Sequence, residues 1–374
     1  MSQSVVEPYR TPPTGYRAAV SLHAHTDHSR ESLGFLPDWL DGVPVVRRLW
    51  QREQARRSSG ARGPFDLSRG YWRPPMSPRG VLHSETGQIH DRLGLEAIVS
   101  LTDHDTFGAP MALRAVAGEA AVPLSVEWSV RHGGSRFHLG VHNVPADIVL
   151  ACGAALAAET AQPGAGGLAD LLELLASCPS ALIVFNHPLW DGEVNHALDA
   201  QEASEFLRRY GRWIHAIELN GYRKWPENQR AMALAECWRL PLVAGGDRHG
   251  RAPNAVLNLS HAASFDEFAC EVRDDRRSHL LVMPEYFGQP AARELAALSE
   301  ILGTDRGLAR GHRHWSERVF VTDGRGADHP LAEAWDGGIP WWVSSLVGVL
   351  RLAGSAPARP LLRAALAGGQ LSLF

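Results

Sequence analysis

The chain has 374 residues, 45% of them hydrophobic and 21% charged, with a formal net charge of −4. That length allows a large core and suits an α/β barrel, which often exceeds about 200 residues as one unit. The acidic balance argues against a polybasic membrane binder or a long nucleic-acid partner, and four cysteines with no C-x-x-C pair exclude a disulfide framework or zinc knuckle.

Short apolar runs recur along the chain, each ending in polar residues: "AAVSLHAH", "EAIVSLTDHD", "VPLSVEWSV", "SRFHLGVHN", "SALIVFNHP", "IHAIELNG" and "LPLVAGGDRHG". They read as strands. Helical patterns lie between most of them, over 111–120, 165–177, 200–211 and 228–238. Strands alternating with helices predict an α/β fold with a largely parallel sheet, and seven strand ends suit a barrel better than a two-layer sandwich. Residues 34–85, rich in Arg, Gly, Pro and Trp, read as an insertion or lid after the first strand. After Tyr286 the rhythm fades, and 291–374 reads as a mostly helical C-terminal extension, with an Ala/Leu-rich helix near the end. The most apolar late stretch, Ile339 to Gly354, is interrupted by Arg351 and falls short of the roughly 20 apolar residues of a membrane span. The opening MSQSVVEPYRTPPTGYR lacks a signal-peptide core, so the expected location is cytoplasmic.

Histidine is abundant, at 18 copies, and its placement is informative. His23 and His25 follow the first run; Asp103, His104 and Asp105 the second; Glu127 the third. His138 sits in the fourth, His187 follows the fifth, and Asp247 and His249 follow the last. In a parallel barrel such ends converge on one mouth. Imidazole and carboxylate donors suit Mn, Zn or Fe ions. His23 and His25, and again Asp247 and His249, are spaced i, i+2, so each pair can face one side of a strand. A carboxylate such as Glu127 can bridge two cations, and cations about 3.5–4 Å apart can clamp a phosphate and activate a water. Asp103 or Asp105 could fix the tautomer of a metal-bound histidine. His28, His83, His90, His132, His142 and His196 lack the strand-end placement or the pairing and read as surface or core residues. Trp128 and Trp225 read first as packing residues.

In order along the chain, "SLHAHT", "SLTDHDT", "SVEWS", "FHLGVHN", "FNHP", "AIELNGY" and "AGGDRHG" resemble the motifs of the PHP (polymerase and histidinol phosphatase) family, over about Arg17 to Tyr286. The resemblance implies a distorted (β/α)7 TIM-like barrel, over 17–290 here, and two or three divalent metal ions. It implies one ion on His23, His25, Glu127 and Asp247, a second on Glu127, His138 and His187, and a third on His104 and His249 with a ligand from the loop after His25. It also implies hydrolysis of a phosphoester by a metal-bound hydroxide.

The chain departs from the family pattern at "HAHTDHSRES", where Arg30 stands in place of an aspartate. Glu31, Asp27 or His28 could reach the same ion, which leaves open a two-metal centre or a third ion held by Glu31. Arg223, Lys224, Arg248 and Arg30 are the candidates for substrate phosphate. Asp103, Asp105 and His249 are the candidate catalytic groups. The expected function is a phosphomonoesterase acting on a small phosphorylated metabolite or nucleotide. The alternatives are a metal-dependent hydrolase of an amide or ester, and a non-catalytic metal-binding module. Oligomeric state is not legible.

Overall fold

The computed structural model describes residues 3–58, 64–117, 122–164, 167–191, 196–197, 200–288, 290–323, 325–335, 338–355 and 357–358. The chain is mixed α/β and divides into two compact units: 1–29, 77–192 and 196–287 in the first, and 30–76, 193–195 and 288–374 in the second.

The first unit is built on a ten-stranded sheet. Its central strands read as continuous apolar runs because both faces are covered, as parallel strands require; Leu182–Asn186, with sequence LIVFN, is buried at every position. Strand Ala18–Ala24 is the hub. Its first half pairs in parallel with Glu96–Val99 and antiparallel with Val256–Ser260. Its second half pairs in parallel with Leu242–Arg248. The sheet continues from there through Ala216–Asn220, Leu182–Asn186, Ser135–His142 and Val126–His132. Helices cover it with apolar stripes. In Ala200–Tyr210 the buried residues Ala203, Phe206, Leu207 and Tyr210 recur at helical spacing. Helix Pro78–Leu93 carries explicit end signals: Ser77 accepts from the Gly80 amide, proline opens the first turn, and Gly94 ends it at φ 67°.

The sheet forks where Val256–Ser260 and Leu242–Arg248 both leave the hub strand, and ladder bonds run out there. The fully buried Asn258 side chain fills the gap. Its Oδ1 accepts from the Ala244 amide at 2.7 Å, and its Nδ2 donates to the carbonyls of Ala244 at 2.8 Å and Val20 at 3.2 Å. Asn258→Leu keeps the volume and strands those backbone groups, each worth roughly 1–3 kcal/mol when left unmade. The expected loss is roughly 3 kcal/mol or more; an unchanged denaturant midpoint would refute the stapling role.

The second unit has a four-stranded sheet in the order Asp328–Pro330, Val319–Thr322, Asp66–Trp72, Glu31–Ser32. Its core gathers Leu40, Phe65, Leu67, Trp315, Val321 and Trp335. The buried guanidinium of Arg318 donates to the carbonyls of Ile301, Gly303, His312 and Arg313, satisfying loop backbone that no strand pairs. Strands 319–322 and 328–330 stand within the segment expected to be mostly helical. The first-strand insertion, expected over 34–85, gives residues 34–76 to this unit, which begins at Arg30; residues 77–85 belong to the first, with the start of helix Pro78–Leu93.

Helix 111–120 is described as Gly108–Ala112 followed by the wider turn Leu113–Ala117, and 165–177 as Leu168–Ser177. Residues 118–120 and 165–166 of those two segments, the side chain of His196 and most of the Ala/Leu-rich tail lie outside the described residues. Among the described residues no helix is long and apolar enough to cross a membrane.

Candidate metal centre

The strand ends of the first unit bring seven histidines and carboxylates around one group, the fully buried Glu127 on strand Val126–His132. Its Oε1 lies 3.1 Å from His23 Nε2, 3.2 Å from His187 Nε2 and 3.4 Å from His138 Nδ1. Its Oε2 lies 3.3 Å from His25 Nε2 and 3.3 Å from His104 Nδ1. Asp247 adds Oδ1 at 3.6 Å from the Nε2 of both His23 and His25, and 3.7 Å from His249 Nδ1. His249 also stacks on His25, with ring centroids 4.3 Å apart.

The local backbone explains how these side chains converge. Asp247 sits at a bulge: Gly245 is opposite Leu22 and Arg248 opposite Ala24, so two residues face His23 alone. Both His23 and Asp247 hold left-handed backbone, at φ 63° and 51°, and His187 lies at φ 23°. Such strain in non-glycine residues is sustained only where the surroundings fix it, and it clusters at functional sites.

Proximity alone would leave these groups repelling or unpaired. His23 Nε2, His138 Nδ1 and Glu127 Oε2 are buried without a partner in hydrogen-bond geometry, although buried polar atoms are normally satisfied. Within the first unit, three overlapping donor sets have their atoms within 4.8 Å of one another: His23, His25 and Glu127; His23, His187 and Asp247; His104, Glu127 and His138. Lone pairs converging on shared space, with imidazole and carboxylate donors, fit divalent cations.

The electrostatics agree. Burial by itself lowers the basicity of His23, but the charges of Glu127, Glu218 and Asp247 outweigh it and raise its pKa well above the ordinary value. Burial would raise Glu127, but the imidazoles of His23, His104 and His138 hold its pKa well below the usual carboxylate range. Asp247 is likewise held down, against burial, chiefly by His23, His25 and His249. His142 differs: burial pushes it down to about 3, and its Nδ1 meets Ser100 Oγ at 2.8 Å, as a neutral core histidine should. His28, His83 and His90 are exposed, and His132 packs edge-on against Phe206 and Tyr210.

The other expected residues are placed as follows. Asp103 accepts from Thr26 N and Oγ1 at 2.6 and 2.7 Å, and so clamps the turn after His25. Asp105 accepts from the Ser129 amide at 2.8 Å. Arg223 extends to 3.5 Å from Asp247 Oδ2, with its guanidinium 4.0 Å above the Trp190 ring. Lys224 precedes helix Trp225–Trp238 as its N-cap. Arg248, expected to face substrate, points away from the cluster. It is buried and forms a 2.7 Å ion pair with the fully buried Glu85. Strand alternation is the reason: if Asp247 and His249 face inward, the residue between them cannot. Glu31 and Arg30 belong to the second unit, where Glu31 pairs with Trp72 and Arg30 lies over the Tyr71 ring at 4.7 Å.

Three polar residues escaped the sequence reading. Glu218 and Asn220 end strand Ala216–Asn220, and Asn186 ends Leu182–Asn186. Asn186 Nδ2 donates to Glu127 Oε1 at 3.0 Å, and Glu218 Oε1 lies 2.6 Å from His23 Nδ1. The signal was a charged residue inside the apolar run "AIELNG", which a buried strand tolerates only with partners.

No family model matches the chain, and no curated protein matches it. Several solved structures resemble it remotely, among them the following three. An amidohydrolase from Chromobacterium violaceum shares 16% identity over 47% of this chain and 83% of its own, with a TM-score of 0.35. A protein from Bifidobacterium adolescentis, provisionally named a metal-dependent phosphoesterase, shares 15% over 53% of this chain and 91% of its own, with a TM-score of 0.34. PsfC from Pseudomonas syringae PB-5123 shares 17% over 74% of this chain and 94% of its own, with a TM-score of 0.42.

Proposed function

We propose that the first unit is a metal-dependent phosphoesterase for a small phosphorylated compound. The observation that carries this reading is Glu127: one buried carboxylate with five imidazoles between 3.1 and 3.4 Å of its two oxygens. Such a carboxylate would hold cations together with the imidazoles around it. His23, His25 and Asp247 would share one with it, and His138 and His187 a second. His104 and His249 are left for a third. Divalent ions held there supply a water of lowered pKa and positive charge opposite the phosphoryl oxygens.

The chain's own residues do the rest. Arg223 is fixed before substrate arrives. Its amide donates to Asn220 Oδ1, its carbonyl accepts from Tyr286, and Trp190 supports its guanidinium. A guanidinium so held matches phosphate geometry, and Lys224, next in sequence, is the second candidate cation for the phosphate. His249, with its side chain 19% exposed, is among the less buried imidazoles; where the centre holds two cations, it is our candidate for giving a proton to the leaving oxygen. Asp103 and Asp105 act as positioning residues through the backbone they bind. We also propose that the strands close as a distorted seven-stranded barrel. Glu96–Val99 pairs with the hub strand, and a parallel bridge joins His104 to Glu127 just beyond it.

The test is metal counting on the purified protein beside a screen of phosphorylated metabolites with added Mn2+. Phosphate release by the wild type, abolished with metal content in Asp247→Ala, is expected. Metal-dependent cleavage of amides or carboxylic esters without any phosphate release would sink the phosphoesterase reading.

A further inference from the structure

Glu218 has no place among the cation-binding groups above, yet it contacts two of the residues that carry them, His23 and His187. We propose that Glu218 is a positioning residue that sets the metal-binding state of His23 and ties three donor-bearing strands together. This rests on the metal-centre reading and extends it to a residue behind the site.

The geometry is specific. Glu218 is 1% exposed, on the strand lying between those that deliver His187 and Asp247. Its Oε1 stands 2.6 Å from His23 Nδ1. Its Oε2 accepts from the His187 backbone amide at 2.7 Å and from Asn220 Nδ2 at 2.8 Å. The same Asn220 nitrogen reaches Asp247 Oδ2 at 3.2 Å. One carboxylate thus contacts the ring of His23, the strained backbone of His187 and, through Asn220, the carboxylate of Asp247.

The chemistry follows from which atoms are taken. A carboxylate against Nδ1 keeps the proton on that nitrogen. The lone pair of His23 is then on Nε2, which faces Glu127. A carboxylate behind an imidazole also makes the ring a better donor to a cation. Glutamine fails in either orientation: its nitrogen in place of Oε2 would meet two N–H groups as a donor, and its nitrogen in place of Oε1 would donate to His23 Nδ1 and move the ring's proton to Nε2.

The surrounding chain is shaped for this side chain. A Cβ on Gly245, in the neighbouring strand, would lie 1.7 Å from Glu218 Oε1 and 2.6 Å from its carboxyl carbon. Glycine at 245 therefore makes room for the carboxylate. Gly245→Ala offers a second way to displace it with Glu218 still present.

The experiment is Mn2+ and Zn2+ binding by the full chain, read by competition with a chromophoric chelator, for wild type, Glu218→Gln, Gly245→Ala and the double variant. Melting with excess chelator and with added metal runs beside it. Each single variant is expected to lose about 10–100-fold in metal affinity and most of the metal-induced rise in Tm. The double variant is expected to lose little more than either single one, since both act on one contact. Wild-type affinity in a folded Glu218→Gln, or additive losses in the double variant, would overturn the proposal. If Glu218→Gln does not fold, Gly245→Ala decides alone, and unchanged affinity there overturns it too. A wild type that binds neither metal sinks the metal-centre reading itself, and is thus told apart from failure of this one.

Discussion

Glu127→Ala is expected to purify with background metal content and no metal-dependent hydrolysis. The loss should exceed the roughly 10–100-fold that follows removal of an outer partner of a metal ligand. Both oxygens of Glu127 are engaged, three imidazoles at one and two at the other, so no neighbouring group can take over both. Glu127→Gln separates charge from volume. It keeps the side chain's size but turns one acceptor into a donor among imidazoles and Asn186 Nδ2. It should fold and still fail to hold metal. Elemental analysis beside a melting curve checks both variants; normal metal content in either would remove Glu127 from the centre of the site.

The same electrostatics set the direction of the pH dependence. In the metal-free protein the pKa of His23 is raised well above its ordinary value, against its burial, by Glu127, Glu218 and Asp247. His23 therefore keeps its proton to higher pH than a free imidazole. A cation must displace that proton, so metal uptake releases protons and apparent affinity falls as pH falls. The carboxylates do not offset this loss. Glu127 and Asp247 are held well below their ordinary pKa values and stay ionised over the same range.

Much of the candidate site was legible because its residues obey a rule of placement. His23, His25, His104, Glu127, His187, Asp247 and His249 stand at or near strand ends, where side chains distant in sequence converge, and His138 joins them from the middle of strand Ser135–His142. What could not be read was pairing. Nothing in "AIELNG" says that its glutamate meets His23, a contact spanning 195 positions. The second unit shows the same limit. Strand Asp66–Trp72 pairs with Val319–Thr322, with register from Tyr71 to Phe320, and no local pattern in an Arg- and Pro-rich segment announces a partner so far along the chain. The lower boundary of the insertion was different. Ser77, Pro78 and Gly94 are ordinary helix start and stop signals, and they went unread because the composition around them resembled the insertion. Arg248 was assigned to the site by its place between Asp247 and His249; the alternation that makes those two face inward turns the third outward.

That reversal yields the second large effect, and it is on stability. Glu85→Ala is expected to cost about 3–5 kcal/mol, the range for breaking one partner from a buried ion pair. Glu85 and Arg248 are both buried, 2.7 Å apart, and the carboxylate also accepts from Ser21 Oγ at 2.9 Å and from the Asn254 amide. Removing it leaves a buried guanidinium, between two residues of the metal site in sequence, without the carboxylate that balances its charge. For a unit of this size the loss corresponds to a fall in Tm of roughly 10 °C. Arg248→Met should cost less than Glu85→Ala, because it removes the buried cation, fills its volume and leaves a carboxylate that still accepts from Ser21 Oγ and the Asn254 amide. Arg223→Ala is the contrasting case. Its guanidinium lies on Trp190 near Asp247, where a substrate phosphate is expected, so its loss should weaken turnover and leave Tm within about 1–2 °C of wild type. Melting curves and phosphate-release rates on the three variants separate an arginine that holds the wall from one that meets the substrate. A wild-type Tm for Glu85→Ala would place Arg248 back at the site.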